Sequence, residues 1–228
     1  TLVDLIKGII ADFSPSRLRL SSLEPWDIDE NFLEVLTLPG FCRHLHLPLQ
    51  SGSQGVLQRM GRRNTPQDFL NLLEMIRKAA PDIAITTDIM VGFPGETEAE
   101  FEEGLEFVRS LNLAGGHVFN FSLRPGTPAE RFPDRIPPAV RKERSERMRA
   151  VVESSRLAYH SGFSGKVAQV LWEQAIADNG IWQVEGLTDN YLRIRAEAET
   201  SLQNELSDVL LLESRSSFVA GKILPGKK

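Results

Sequence analysis

Four short loops along the sequence carry residues that are well suited to hold a small polar ligand. Their Gln, Ser and Glu side chains hydrogen-bond to hydroxyl and amino groups, and their glycines let backbone amides approach a ligand closely. Arg124, in the last loop, can hold a carboxylate or a phosphate through two parallel hydrogen bonds. The loops read SSLEP at 21–25, QSGS at 50–53, VGFPGE at 91–96 and SLRPGT at 122–127.

Each of these loops, taken alone, also fits an ordinary tight connection between a strand and a helix, because Gly, Pro and Ser are the usual residues of turns. All four follow segments with strand character. Ligands of parallel sheets and of (β/α) barrels bind where the strands end. Four polar loops on that one edge therefore favour a shared ligand site over four unrelated turns.

The other residues with chemical potential give weaker signals. His44 and His46 lie two apart on one strand, but a metal site needs three or four ligands, so we expect them to line the core or a barrel. Asp88 lies in the middle of an apolar strand, where a carboxylate must either bind a ligand or pair with a buried arginine or histidine. Cys42 is interpreted as a small core residue. No catalytic residue and no metal site is identified.

Alternating strands and helices position these loops. The predicted strands are 17–23, 43–49, 83–91 and 116–122, and the predicted helices are 29–36, 54–60, 67–80 and 101–111. Thr97 and Glu100 have the spacing of a capping box, and Thr65 precedes a proline in the first turn. This alternation predicts an α/β fold with a parallel sheet, either part of a (β/α) barrel or an open doubly wound sheet.

The pattern changes near residue 137. A long helix rich in arginine runs from 138 to about 161, and its interleaved glutamates indicate a solvated face with salt bridges. Five short strand patterns follow, which predict a small antiparallel β-barrel. We expect two domains, at 1–161 and 162–228. In the second, Tyr191, Arg193 and Arg195 are candidates to stack on RNA and to pair with its phosphates.

Composition limits the possible functions. Hydrophobic residues make up 41% and charged residues 25% of the 228 residues, as in soluble globular proteins. The single thiol fits a reducing cytosol, so we expect a cytoplasmic location. The net charge of −5 argues against purely electrostatic binding of nucleic acid. A single cysteine excludes a disulfide within the chain and any iron–sulfur site built by this chain alone.

Five strings resemble the methylthiotransferase family of radical-SAM enzymes. They are RLSSLEP at 19–25, HLHLPLQSGS at 44–53, MGRR at 60–63, TTDIMVGFPGET at 86–97 and SLRPGT at 122–127. They occur in the order and spacing of the family and cover about residues 1–160. The chain from Gly165 is similar to the TRAM domain, an RNA-binding module with an OB-like barrel. SSLEP and HLPLQSGS look most like the branch that modifies threonylcarbamoyladenosine beside the tRNA anticodon.

The resemblance implies S-adenosylmethionine (SAM) and two [4Fe–4S] clusters as cofactors of the full-length family, and tRNA as partner. One cluster reduces SAM to a 5′-deoxyadenosyl radical, and the second helps to deliver the methylthio group. It also implies a SAM pocket, with Arg124 against either SAM or the substrate. The motif residues that match this pocket are Glu24, Gln50, Ser51, Asp88 and Gly92.

The chain departs from the family in lacking the CxxxCxxC triad and the three further cluster cysteines. It also begins inside a helical pattern at Thr1. We therefore expect a carboxy-terminal fragment of the enzyme that retains no cluster, binds SAM weakly and is inactive alone. The alternatives are a non-catalytic RNA-binding module and an unrelated βα-barrel enzyme.

Overall fold

Three parallel strands form the sheet that positions the candidate loops. In the computed structural model, which describes residues 1–225, the strands are β1 (His44–His46), β2 (Ala84–Val91) and β3 (Gly115–Asn120), in the order β1-β2-β3. Because β1 and β3 both pair with β2 in parallel, all three strands end at the same edge of the sheet, here called the carboxyl edge.

The first predicted strand, 17–23, is wrong as a strand. The segment is extended and touches its neighbours only through two isolated bridges, Leu18 to Phe41 and Ser22 to His46. The predicted strand 43–49 shortens to three residues, since Pro48 has no N–H to donate. Beyond it, Leu49 N–H bonds instead to the Thr87 hydroxyl at 3.0 Å.

The helices begin within three residues of where the sequence predicts them. Thr65 and Thr97 each form a capping box, with Asp68 and Glu100 respectively, so both capping predictions are confirmed. The helices are α1 (Leu2–Phe13), α2 (Glu30–Val35), α3 (Gln54–Arg59), α4 (Pro66–Ala79), α5 (Glu98–Ser110) and α6 (Pro138–Ser161), with 3₁₀ turns at Pro25–Asp27 and Pro128–Arg131. None of the helices within residues 1–225 has the length and apolarity needed to cross a bilayer.

The two faces of the sheet have different roles because side chains alternate along each strand. Ile85 and Ile89 of β2 belong to a buried core with helix residues such as Phe69 and Leu73. The opposite face, here called the inner face, carries His44, His46, Thr86 and Asp88, and these residues line a cavity.

Five further strands close into a barrel after α6. They are β4 (Val167–Asp178), β5 (Ile181–Thr188), β6 (Arg193–Ala198), β7 (Leu206–Ser214) and β8 (Val219–Ile223), in the order β4-β5-β6-β8-β7. The predicted small barrel is therefore present, although it is not wholly antiparallel, because β6 and β8 pair in parallel. Trp172 is fully buried at the centre of its separate core. Residues 226–228, within the predicted second domain, lie outside the described residues.

Polar contacts hold the small barrel against the amino ends of the sheet strands. Arg43 donates to Asp189 from Nε at 2.6 Å and from Nη2 at 3.0 Å. Arg17 donates to the carbonyls of Leu187 and Gln169. The small barrel therefore lies at the end of the sheet opposite the carboxyl edge.

Candidate functional site

The polar loops gather at the carboxyl edge, as their positions in the sequence predict. Glu24 accepts from Arg62 Nη1 through both carboxylate oxygens, at 3.0 and 3.2 Å. Its side chain remains 37% exposed, so a carboxylate stays available at the rim. Trp26 lies close by, with the guanidinium of Arg63 5.7 Å from its ring centre.

Gln50 and Ser51 form the turn that follows β1. Gln50 has a φ of 67°, and its backbone bonds to both sides of Asp88: its N–H donates to the Asp88 carbonyl at 2.8 Å, and its carbonyl accepts from Met90 N–H at 2.7 Å. The Gln50 side-chain amide makes no hydrogen bond to any residue in 1–225 and is available to a ligand. Ser51 is buried and accepts from Ser53 N–H, so it shapes the turn.

Gly92 begins the third loop with a φ of +75° and is covered by the chain itself. A Cβ on this residue would lie 2.3 Å from Cγ of Arg141, so the absence of a side chain makes room for α6. Its N–H donates to Glu96 Oε2 at 2.7 Å. Glu96 in turn accepts from Arg144 at 2.8 Å.

The prediction of a solvated, arginine-rich α6 is wrong for its inward face. Arg144 is only 5% exposed, and Arg141 packs on Gly92 and donates to the Phe121 carbonyl. The signal was present in the sequence, because 141 and 144 share helical spacing with the buried residues Met148 and Val151. Arg141 and Arg144 therefore support the loop 91–96, a role that the arginine-rich composition of α6 did not indicate.

Arg124 is exposed on the loop after β3. Its carbonyl accepts from the N–H and the hydroxyl of Thr127, which fixes the turn. Its guanidinium forms no ion pair with the residues that the structure describes, so its positive charge at the carboxyl edge is available to an anionic ligand.

Asp88 lies on the inner face and pairs with a histidine, which is one of the two alternatives that the sequence left open. His46 Nε2 is 3.3 Å from Asp88 Oδ2. His46 Nδ1 and His44 Nε2 both contact the Thr86 hydroxyl, at 3.0 and 2.9 Å. Both histidines line a cavity of about 620 Å³ on the inner face of the three-stranded sheet.

Tyr191 reaches this cavity from the small barrel. Its ring stacks on His44 with the centroids 4.1 Å apart, and the Arg19 guanidinium lies 4.5 Å from its centre. Arg193 also lines the cavity. Both Arg193 and Arg195 bond to Glu185, which partly neutralises them.

Gln50, Ser51, Gly92 and Arg124 thus follow strands that end at the carboxyl edge, Glu24 follows the extended segment beside β1, and Asp88 lies on the inner face. The three residues predicted to bind RNA lie on the small barrel, beyond the amino ends of the strands. Cys42 is buried, and burial raises the pKa of its thiol, in agreement with a core residue. No group of three or more His, Cys, Asp or Glu side chains within 1–225 is arranged to hold a metal ion.

Two buried histidines predict a pH dependence of stability. Burial, together with the charges of Arg19 and His46, lowers the pKa of His44 from 6.5 to about 4. Burial and Arg156 lower the pKa of His160 to about 4 as well. Because the unfolded chain binds these protons below pH 6.5 and the folded chain does not, stability should fall between pH 6.5 and 4.

Urea unfolding between pH 7.5 and 4.5 measures this effect. We expect His44 to account for about 1–3 kcal/mol of the loss toward pH 4.5. The His44→Gln variant isolates its share from that of the carboxylates, which also titrate in this range. Equal pH slopes for the variant and the parent chain would show that His44 is not buried in its neutral form.

Comparisons with known proteins agree with this arrangement. Residues 11–108 match the family described as the radical SAM superfamily. The chain is 34% identical over 223 residues to tRNA-2-methylthio-N(6)-dimethylallyladenosine synthase from Caldicellulosiruptor saccharolyticus, covering 97% of this chain and 46% of that protein. It is also 34% identical over 230 residues to threonylcarbamoyladenosine tRNA methylthiotransferase from Thermotoga maritima, covering 98% and 52%. The chain spans about half the length of these curated relatives.

A solved structure shows the same fold. Coproporphyrinogen III oxidase from Escherichia coli, described as a radical SAM enzyme, superposes with a TM-score of 0.55 at 16% identity, covering 81% of this chain and 50% of that one. At this identity the likeness concerns the fold alone. Together, these comparisons show that residues 11–108 match the radical SAM superfamily and that the chain is a homologue of the tRNA methylthiotransferases along nearly its whole length.

Proposed function

We propose that this chain is part of a tRNA methylthiotransferase that uses SAM to add a methylthio group to a hypermodified adenosine next to the anticodon. The observation that carries the proposal is the homology to such enzymes over 97% of the chain. The convergence of four polar loops on the carboxyl edge supports it, because enzymes with parallel sheets bind their ligands there.

The residues at the carboxyl edge fit the polar groups of SAM. The Glu24 carboxylate can accept a hydrogen bond from an ammonium or hydroxyl group. The Gln50 side-chain amide makes no hydrogen bond to residues 1–225, and the Arg124 guanidinium can pair with a carboxylate. Gly92 and Ser51 hold the loops in place. SAM supplies the radical in the family that the motifs resemble, and these side chains would bind and orient it.

The described residues do not fit an iron–sulfur cluster. Such a cluster is held by several cysteine thiolates, whereas this chain has one cysteine, Cys42, and it is buried. We therefore propose that the 228-residue chain has no turnover alone and binds SAM weakly. After anaerobic reconstitution with iron and sulfide, we expect no stoichiometric cluster by metal analysis. One cluster per chain would contradict this.

We further propose that residues 1–161 form part of the radical-SAM domain and that 162–228 form a TRAM-like domain that binds RNA. The closed five-stranded barrel with its own core supports the division. The motifs SSLEP and HLPLQSGS support the threonylcarbamoyladenosine branch as the substrate class. Identity over nearly the whole chain is 34% to one relative of each branch, whereas two dimethylallyladenosine synthases are 42% and 44% identical over 156 residues.

Binding of a tRNA anticodon stem-loop tests the RNA contact. We expect that changing Arg193 and Arg195 to alanine weakens binding of a stem-loop containing threonylcarbamoyladenosine by about three- to tenfold and lowers its salt dependence. Arg109→Ala is the matched control, since Arg109 is an exposed arginine on α5 that is also paired with a glutamate. An equal loss of stem-loop affinity in both variants would show that Arg193 and Arg195 do not form a specific RNA contact.

A further inference from the structure

Positive charge is concentrated in one stretch of a chain that is acidic overall. Residues 121–149 contain eight Lys and Arg against four Asp and Glu, whereas the whole chain contains 26 against 31. This stretch comprises the connection between β3 and α6, residues 121–137, and the first half of α6. The net charge of −5 therefore masks a local excess of positive charge, which attracts polyanions.

The arginines of this stretch differ in whether they are paired. Arg144 and Arg147 form salt bridges to glutamates of α5, so they serve the packing of the chain itself. Four others are exposed to solvent and form no salt bridge with any residue in 1–225. We call them the unpaired arginines, and they are Arg124, Arg131, Arg135 and Arg149.

The β3–α6 connection is held in a fixed position beside the loop 91–96. The Gly95 N–H donates to the Asp134 carbonyl at 2.9 Å. Phe132 packs edge-on against the buried ring of Phe93, with the centroids 5.9 Å apart. Because the connection follows β3, it lies at the carboxyl edge, next to the loops that carry the candidate ligand residues.

Backbone carbonyls orient two of the unpaired arginines without neutralising them. Arg135 Nη2 donates to the Glu130 carbonyl at 3.0 Å, and Arg149 Nη2 donates to the Val118 carbonyl at 3.2 Å. A guanidinium has five N–H donors, so each keeps donors for an anion. The nearest carboxylate in the chain, that of Glu130, accepts instead from the Gly126 N–H at 2.9 Å.

The small barrel is less suited to attract a polyanion. Its arginines Arg193 and Arg195 both pair with Glu185, and residues 162–228 contain seven Lys and Arg against nine Asp and Glu. A phosphate that binds a paired arginine competes with the carboxylate, whereas one that binds an unpaired arginine does not. The barrel also lies at the other end of the sheet, where Arg43 bonds to Asp189.

We propose that the unpaired arginines bind the phosphate backbone of the tRNA anticodon stem-loop and are its main electrostatic contact with this chain. This inference rests on the proposed function, which makes tRNA the substrate. An adenosine that reaches the carboxyl edge lies at the opposite end of the sheet from the small barrel, so a contact at that edge is needed to hold it there. Phosphate contacts orient RNA and do not read its sequence.

Binding of an anticodon stem-loop RNA to the intact chain, measured by fluorescence anisotropy, tests the contact. Arg124 belongs to the proposed ligand site, so the test uses Arg131→Gln combined with Arg135→Gln. We expect affinity to fall about tenfold at about 0.1 M salt, because two charge-assisted bonds are lost. The slope of log affinity against log salt should fall by about 1.4–1.8, which is about 0.7–0.9 per phosphate contact.

A control of equal charge separates a local contact from a loss of net charge. Lys78→Gln combined with Arg109→Gln also removes two positive charges, from the last turns of α4 and α5. This variant should bind the stem-loop within about twofold of the parent chain. Equal losses in the two double variants, or no saturable binding by the parent chain up to about 0.1 mM, would overturn the inference.

A conservative variant separates charge from loop shape. Arg131→Lys combined with Arg135→Lys keeps both charges and changes the bond to the Glu130 carbonyl, so it should bind within about threefold of the parent chain. A loss as large as that of the glutamine variant would contradict a phosphate contact. Scrambling the loop nucleotides should leave the fold-loss of the glutamine variant unchanged, because phosphates carry no sequence information. A loss confined to the native loop sequence would contradict the proposal.

Hydrogen exchange with and without the stem-loop locates the contact in the chain. Protection should increase in residues 121–137, and an increase confined to β4 to β8 would overturn the inference. Failure of the proposed function has a different signature. An enzyme that contains this chain and leaves tRNA unmodified contradicts the proposed function, whereas stem-loop affinity that is unchanged by the glutamine variant contradicts this inference alone.

Discussion

Replacing Arg144 with methionine is expected to lower the free energy of unfolding by about 3–5 kcal/mol, because it leaves a buried carboxylate without its cation. The side chains of Arg144 and Glu96 are 6% and 3% exposed and lie 2.8 Å apart. Arg144 also bonds to the Glu96 carbonyl at 2.9 Å and to Glu98 at 2.8 Å. Burial already raises the pKa of Glu96, so the carboxylate depends on this partner.

The loss should be specific to the buried pair. Arg147→Met removes an arginine of the same helix that also pairs with Glu98, but its side chain is 34% exposed, and we expect a change of only about 0–1 kcal/mol. Urea unfolding measures both variants. Adding Glu96→Gln to Arg144→Met should restore part of the loss, since the unpaired charge is then gone. Similar losses for Arg144→Met and Arg147→Met would show that the Glu96 pair is solvated.

Replacing Trp172 with alanine is expected to cost about 3–5 kcal/mol, since it empties the centre of the small barrel. Trp172 has no exposed surface, and its indole N–H donates to Ser207 at 3.1 Å. If 162–228 is a domain of its own, Trp172→Ala should destabilise these residues more than residues 1–161. Hydrogen exchange read by mass spectrometry should show lost protection in β4 to β8 and retained protection in β2 and α4.

The controls for this prediction come from the same chain. Phe69→Ala removes a residue of similar burial from the other core. It should lower the hydrogen-exchange protection of α4 and the sheet and leave that of the small barrel unchanged. Trp26→Ala removes a tryptophan that is 42% exposed and should change stability by less than about 0.5 kcal/mol. Simultaneous loss of protection in both parts after Trp172→Ala would contradict the division at residue 161.

Local signals predicted the helices better than the strands. Capping boxes such as Thr97 with Glu100 act through neighbouring backbone groups, so they can be recognised without tertiary structure. A strand needs partners: 17–23 has a strand pattern, yet it makes only two bridges to its neighbours. The parallel pairing of β6 with β8 likewise depends on how the barrel closes, which alternation within each strand does not specify.

The sequence predicts which loops lie at the carboxyl edge, because the order of strands and helices determines where each loop lies. It does not predict contacts between residues that are far apart in sequence. The loops carrying Gln50 and Gly92 follow strands, so their common edge was implied by the alternation of strands and helices. The sequence could not identify His46 as the partner of Asp88, because His46 lies on a neighbouring strand and the pairing of strands is not encoded locally. The stacking of Tyr191 on His44 joins residues that are far apart in sequence and requires the docked small barrel.

A hybrid enzyme tests the proposed function most directly. The matching part of the Thermotoga maritima threonylcarbamoyladenosine tRNA methylthiotransferase is replaced by this chain, and the hybrid is expressed in cells that lack their own enzyme of this activity. Mass spectrometry of the tRNA nucleosides is the readout. We expect methylthiolated threonylcarbamoyladenosine, and we expect it to be lost when Gln50 or Arg124 is changed to alanine. A folded hybrid that contains its clusters and leaves the tRNA unmodified would contradict the assignment of this chain to a methylthiotransferase.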